Sequence, residues 1–288
     1  MVNESVFETI KVRYLLFWLI VFTVIMGLIY VSTTNLLAGA EWEVATGFLF
    51  YILISFWIIR NFNRVHLNYQ KFIGQFPFDY NWFYLFTVIF AVIILTLGLG
   101  ELSRYILSLI NPNLLNHLPS TSVFFTSSET PFAPFLNFME FIIAVIMAPI
   151  VEEFLFRGVI LHRFTIKFGI KTAILSSSLI FGFLHSDFIG AFIFAVVMCI
   201  LYIKTASILV PIMAHMINNL LAYGAEIIST FSPQSSIASH NLGVAILLLI
   251  VSIVIIFYFL YRNWPQRYWR PPYFQEVYDG IPENLYYD

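Results

Sequence analysis

An all-α, polytopic membrane helix bundle of about eight transmembrane helices is the fold the sequence predicts, and three observations carry the prediction. The 288 residues are 60% hydrophobic and only 10% charged, against about 25% charged in a soluble domain; mean hydropathy is +0.87. Apolar runs long enough to cross a bilayer, roughly 20 residues each, recur along the chain. The basic residues between those runs gather almost entirely on alternate loops. A formal net charge of -2 argues against nucleic acid as a partner. The one cysteine, Cys199, lies inside an apolar run, so no disulfide framework and no cysteine zinc site can form within the chain.

The first run is read as a helix at 14–33. Ala38-Gly39-Ala40 resembles a cleavage site. The run before it is too long for the apolar part of a signal peptide, and acidic Glu4 and Glu8 precede it, so an uncleaved first span is expected. Further helices are read near 43–60, 81–99, 134–165, 171–186, 188–203, 206–224 and 243–261. An even number places both chain ends on one side. Lys11, Arg13, Arg60, Arg64, Lys71, Arg157, Arg163, Lys167, Lys171, Lys204, Arg262, Arg267 and Arg270 all share that side. The opposite loops hold Glu41, Glu43, Glu101, Glu129, Asp187 and Glu226, with Arg104 the only basic residue. By the positive-inside rule both termini are cytoplasmic; the compact chain with short connections suggests a prokaryotic inner membrane as the location.

Gly100 to Pro131, with its Ser, Thr, Asn and Pro, is read as a long loop on the non-cytoplasmic side. The tail 262–288, mixing Trp, Tyr and Pro, is read as an interfacial aromatic anchor with an irregular end. No internal repeat or low-complexity linker divides the chain. Residues 1–288 are therefore taken as a single membrane domain: N-terminal helices over 14–99, a core at about 134–224, and a last helix at 243–261.

Ionisable residues at membrane depth are costly, and each is a functional hypothesis. "EEFLFR" places Glu152 and Glu153 beside Arg157; "FGFLH" places Phe181 before His185; "HMINN" places His215 before Asn219. The segment Lys167 to Lys171 with Gly169 at its centre reads as a turn. Glu152 and His185 lie about 17 and 16 residues from it, or about 25 Å along two helical arms. Antiparallel neighbours then bring the two to one level, provided that the fourth helix continues past the carboxylates to about Phe164. His215, on the next hairpin, can share the layer. Glu153 and Arg157 at i, i+4 suit an intramembrane ion pair, and Glu152 points about 100° away from Glu153. Pro149 is expected to kink the helix just upstream. His162 and Arg163 are read as snorkelling near a helix end. His66, His117 and His240 fall in loops, and Glu140 is left without a role. Asp187 either orients the His185 imidazole or marks a helix end. Phe181 reads as packing.

A carboxylate beside an imidazole can deprotonate a water. A second histidine and an amide one turn away can donate to the oxyanion of a tetrahedral intermediate. Glu152, His185 and His215 also suit a zinc ion with one position left for water. The residues themselves leave open both chemistries, and also a non-catalytic polar layer in a transporter or scaffold. No HExxH and no Gly-x-Ser-x-Gly occurs.

Three such motifs in this order, on separate apolar helices, resemble the CPBP family of intramembrane proteases, which includes the CAAX prenyl endopeptidases and the bacteriocin-processing Abi proteins. The likeness covers roughly Phe135 to Tyr223. It implies an endopeptidase in which Glu152 and His185 activate water, His215 and Asn219 stabilise the oxyanion, and Glu153, Arg157 and Phe181 support them. The family is labelled metalloprotease, while a metal-free glutamate mechanism is also argued for it; zinc stays open, with Glu152, His185 and His215 as its ligands. The implied partners are membrane lipid and a peptide or protein substrate, C-terminal and lipidated in the eukaryotic members. The site is expected to open towards the cytoplasm.

Overall fold

The computed structural model describes residues 5–33, 39–111, 124–128, 130–231, 241–266, 269–275, 277–278 and 281–282. Long apolar stretches fold into helical rods at each of the eight expected places. In chain order the described helices are α1 (Ser5–Glu8), α2 (Val12–Thr33), α3 (Gly39–Arg64), α4 (Tyr69–Ile73) and α5 (Trp82–Ile110). Then come α6 (Ala133–Phe168), α7 (Ile170–Phe183), α8 (Phe188–Thr205), α9 (Leu209–Phe231) and α10 (Leu242–Asn263). One short antiparallel pairing joins Val277–Tyr278 to Ile281–Pro282. The protein is thus a polytopic helical membrane bundle.

Six helices, α2, α3, α5, α6, α8 and α10, are long and apolar enough to cross a membrane. The other two long rods differ for a reason. α7 has 14 residues, or about 21 Å, short of a bilayer core of about 30 Å. α9 gives up apolarity to His215, Asn218, Asn219 and Glu226. These two carry or lead into the second and third motifs.

The fourth span runs unbroken from Ala133 to Phe168, past the carboxylates, as the depth argument requires. It is not a plain α-helix, and Pro149 does not simply kink it. Two π-helical stretches, Ile142–Met147 and Phe154–Ile160, bracket Pro149 and the paired glutamates. In the first, Ala148 bonds back five residues to Ile143; in the second, Leu161 bonds back to Phe156. Each wide turn rotates the residues beyond it relative to a regular helix, a device common at functional sites. Gly158, in the second stretch, lets α4 close in: a Cβ there would meet the Phe72 ring at 2.4 Å. Gly158→Ala is expected to lower stability by about 1–3 kcal/mol by overpacking. Thermal unfolding in detergent checks this, and an unchanged midpoint contradicts it.

Two expectations need correction. The segment from Gly100 is not loop at its start, because α5 continues to Ile110. Its polar residues are spent on the helix itself: Ser103 and Ser108 hydroxyls donate to the Leu99 and Tyr105 carbonyls, and Glu101 pairs with Arg104 at 3.3 Å. Residues 112–123, and with them His117, lie outside the described residues, as do Glu129, His240 and Ala38. The tail is not merely an interfacial anchor either, since Trp269, Tyr273, Phe274 and Gln275 are buried under the bundle.

That burial builds one pole of the molecule. His162, expected to snorkel, is fully buried. Phe7 stacks on its ring at 4.4 Å, and Phe274 meets it edge-on at 5.1 Å. Arg163 donates to the carbonyls of Phe7, Glu8 and Ile10. Lys204 lies over Trp269, and the Tyr273 hydroxyl accepts from the Asn68 N–H. The outer end of α6 is short of water because the start of the chain and the segment 269–275 both cover it. The opposite pole is acidic: Glu41 accepts from Thr130 and Glu101 from the Asn241 N–H.

Candidate active site

α6 and α9 lay their polar residues against each other in the middle of the bundle. Glu153 and Arg157 are both 0% exposed and bond at 2.9 Å, as the i, i+4 spacing predicts. The same Glu153 Oε1 accepts from His215 Nδ1 at 2.9 Å. Arg157 also donates to the Ala195 carbonyl on α8, and its guanidinium lies 5.1 Å from the centre of the Phe181 ring. The ion pair is therefore a junction of α6, α7, α8 and α9. Because a carboxylate can only accept here, His215 Nδ1 is the protonated nitrogen, and Nε2 faces the other way.

Glu152 turns from that junction into a cavity of about 490 Å³. Its Oε2 lies 3.9 Å from His215 Nε2, and its Oε1 accepts from the Tyr51 hydroxyl at 2.7 Å. His185, Asn219 and Phe181 line the same cavity. His185 is exposed, lying just past the end of α7 rather than within it. Its Nδ1 donates to the Phe181 carbonyl at 2.7 Å, and its ring stacks on Phe181 at 4.3 Å. That bond again leaves Nε2 as the free nitrogen.

Asn219 is held by an unusual helix defect. Ala148 bonds to Ile143, and Pro149 has no N–H, so the Ala144 carbonyl loses both donors that the helix could supply. The Asn219 amide donates to it at 2.8 Å, while its oxygen accepts from Asn218 at 3.1 Å. One N–H of Asn219 is thus committed to α6 and one is left over. Asp187 is the N-cap of α8, its Oδ1 accepting from the Gly190 N–H, and so marks a helix start rather than an imidazole partner. Glu140, left without a role by the sequence, is a cavity wall residue beside Glu43.

The four motif residues Glu152, His185, His215 and Asn219 therefore share one cavity, as do the two halves of the hairpin that the depth count aligned. Two features differ from expectation. The imidazole nearest Glu152 in the ion-pair geometry is His215. The cavity lies towards the acidic pole, between the first half of α3, the middle of α5 and the α7–α8 turn, not at the pole where residues 7–10 and 269–275 sit. Glu43 and Glu140, near the starts of α3 and α6, border it, so its wall lies nearer the acidic pole than the basic turn at Gly169. Zinc fits poorly: no three His, Cys, Asp or Glu side chains converge on one point among the described residues. One ring nitrogen of each histidine, Nδ1, is spent on a neighbour. Sequence reasoning missed Tyr51, which sits in an aromatic run on α3. A phenol hydroxyl at mid-span has to find a partner, and that rule was its only signal.

These features define a helical membrane protein with a carboxylate–imidazole–amide set gathered around one cavity between its helices. Residues 134–221 match the family model described as Rce1-like, type II CAAX prenyl endopeptidase, in keeping with the resemblance to the CPBP proteins. The match spans 88 of the 288 residues, under a third of the chain. No curated protein and no solved structure matches the chain significantly.

Proposed function

We propose that the protein hydrolyses a peptide bond inside the membrane with water activated by Glu152 and His185. The observation that carries this reading is the single cavity shared by Glu152, His185, His215 and Asn219, with a free nitrogen on each imidazole. Glu152, assisted by the bare His185 Nε2, takes a proton from water, and the hydroxide adds to the carbonyl carbon. His215, once it has taken a proton from solution at Nε2 to become an imidazolium, donates to the oxyanion while its Nδ1–H stays on Glu153; the uncommitted N–H of Asn219 is the second donor. As the tetrahedral intermediate collapses, Glu152 returns its proton to the leaving amine. Glu153 with Arg157 orients His215, as a buried carboxylate orients an imidazole in other hydrolases. Phe181 holds the His185 ring by stacking.

The lining of the cavity restricts the substrate. Glu43, Glu140, Glu152 and Asp187 border it, and among its described lining residues there is no lysine or arginine. A free C-terminal carboxylate close to the scissile bond meets like charge there, a juxtaposition worth several kcal/mol. In vesicles containing the protein, an internally quenched peptide with an amidated end should be cut at least ~10-fold faster than the same peptide with a free carboxylate three residues after the bond. Equal rates would remove the charge argument. The reading as a whole is tested by the same assay with His185→Ala, which should lose most of its cleavage while keeping its melting temperature. A polar layer in a transporter or scaffold predicts no cleavage by the wild type at all.

A further inference from the structure

The geometry points to Tyr51 as a positioning residue that holds the Glu152 carboxylate for water activation; this rests on the hydrolase reading above. Tyr51 belongs to α3, outside the matched segment 134–221. Its hydroxyl donates to Glu152 Oε1 at 2.7 Å, the one hydrogen bond this carboxylate makes among the described residues. A charged acceptor makes such a bond shorter and stronger than a neutral one. The other oxygen, Oε2, is left without a hydrogen-bond partner and stands 3.9 Å from His215 Nε2. With Oε1 pinned from one side, the carboxylate has one orientation, and the buried Oε2 is the oxygen turned towards His215 Nε2.

Tyr51 is itself fixed. Its ring is edge-on to Phe50 at 5.5 Å, and Ser55, one turn along, donates to the Tyr51 carbonyl at 2.7 Å. Both its hydroxyl and Glu152 border the same cavity. Without this bond the carboxylate could rotate and its reactive oxygen would be lost in a spread of orientations. The packing of α3 on α6 thus has a second use: it brings a donor that α6 to α9 do not contain.

The test compares wild type, Tyr51→Phe, Glu152→Gln and the double variant in vesicles with a quenched peptide. Losing a hydrogen bond to a charged group should lower kcat about 10- to 100-fold, with KM within about twofold of wild type. Because Tyr51 acts only through Glu152, the double variant should be no slower than Glu152→Gln alone. An unchanged kcat in Tyr51→Phe, or a further loss in the double variant equal to that in the single one, overturns the assignment. The infrared carboxylate band that disappears in Glu152→Gln should also shift in Tyr51→Phe; an unmoved band overturns it as well. Should wild type cleave no peptide, the hydrolase reading falls by that result. The band then reports independently whether Tyr51 holds Glu152.

Discussion

Arg157→Met is expected to be the most destabilising single substitution in the protein, lowering unfolding free energy by about 3–5 kcal/mol. The side chain is fully buried, and so is its partner Glu153. Removing the guanidinium leaves a carboxylate in an apolar interior with only His215 beside it. It also frees the Ala195 carbonyl and takes the cation from the face of Phe181. The cost comes from the stranded charge more than from the lost attraction, which gives the prediction a control. Glu153→Leu combined with Arg157→Met removes both charges and should recover much of the loss. Chemical unfolding in detergent measures both. A single variant within about 1 kcal/mol of wild type would show that the pair is not the junction described.

Glu152→Gln should leave the fold intact and reduce peptide hydrolysis by about 10²- to 10⁴-fold, the usual worth of a general base. The substitution keeps the shape and still offers Tyr51 an amide oxygen. Unlike Glu153, this carboxylate is not part of the buried ion pair, and its side chain is 15% exposed. Loss of rate without loss of stability separates it from its neighbour, whose removal should do both. Residual hydrolysis above about a tenth of wild type would take Glu152 out of the base role.

Composition and run length made the bundle legible, because no soluble fold tolerates so little charge. The depth count from Gly169 also worked, because helical rise converts residue number directly into height. It failed where it assumed a full helix: α7 ends at Phe183, so His185 sits on a turn at the cavity mouth. His162 was misread because a residue near a helix end looks solvated until the segments that cover it are known. Phe7 and Phe274 come from far along the chain, and no local pattern announces them. Asn219 was read as an oxyanion donor on spacing alone. Its tie to the Ala144 carbonyl depends on a π-turn beside Pro149, which hydrophobic periodicity does not encode. Tyr51 was hidden among other aromatics, since which face of α3 meets α6 is a tertiary fact.

The covering of His162 bears on when this end of α6 is closed. The ring sits on α6, the helix that also carries Glu152, yet its shell is completed by Phe7 and by Tyr273 and Phe274. During synthesis the first of these is available almost at once and the last two only after the final span has been made. The far end of α6 therefore stays unlocked until the segment after α10 has been made.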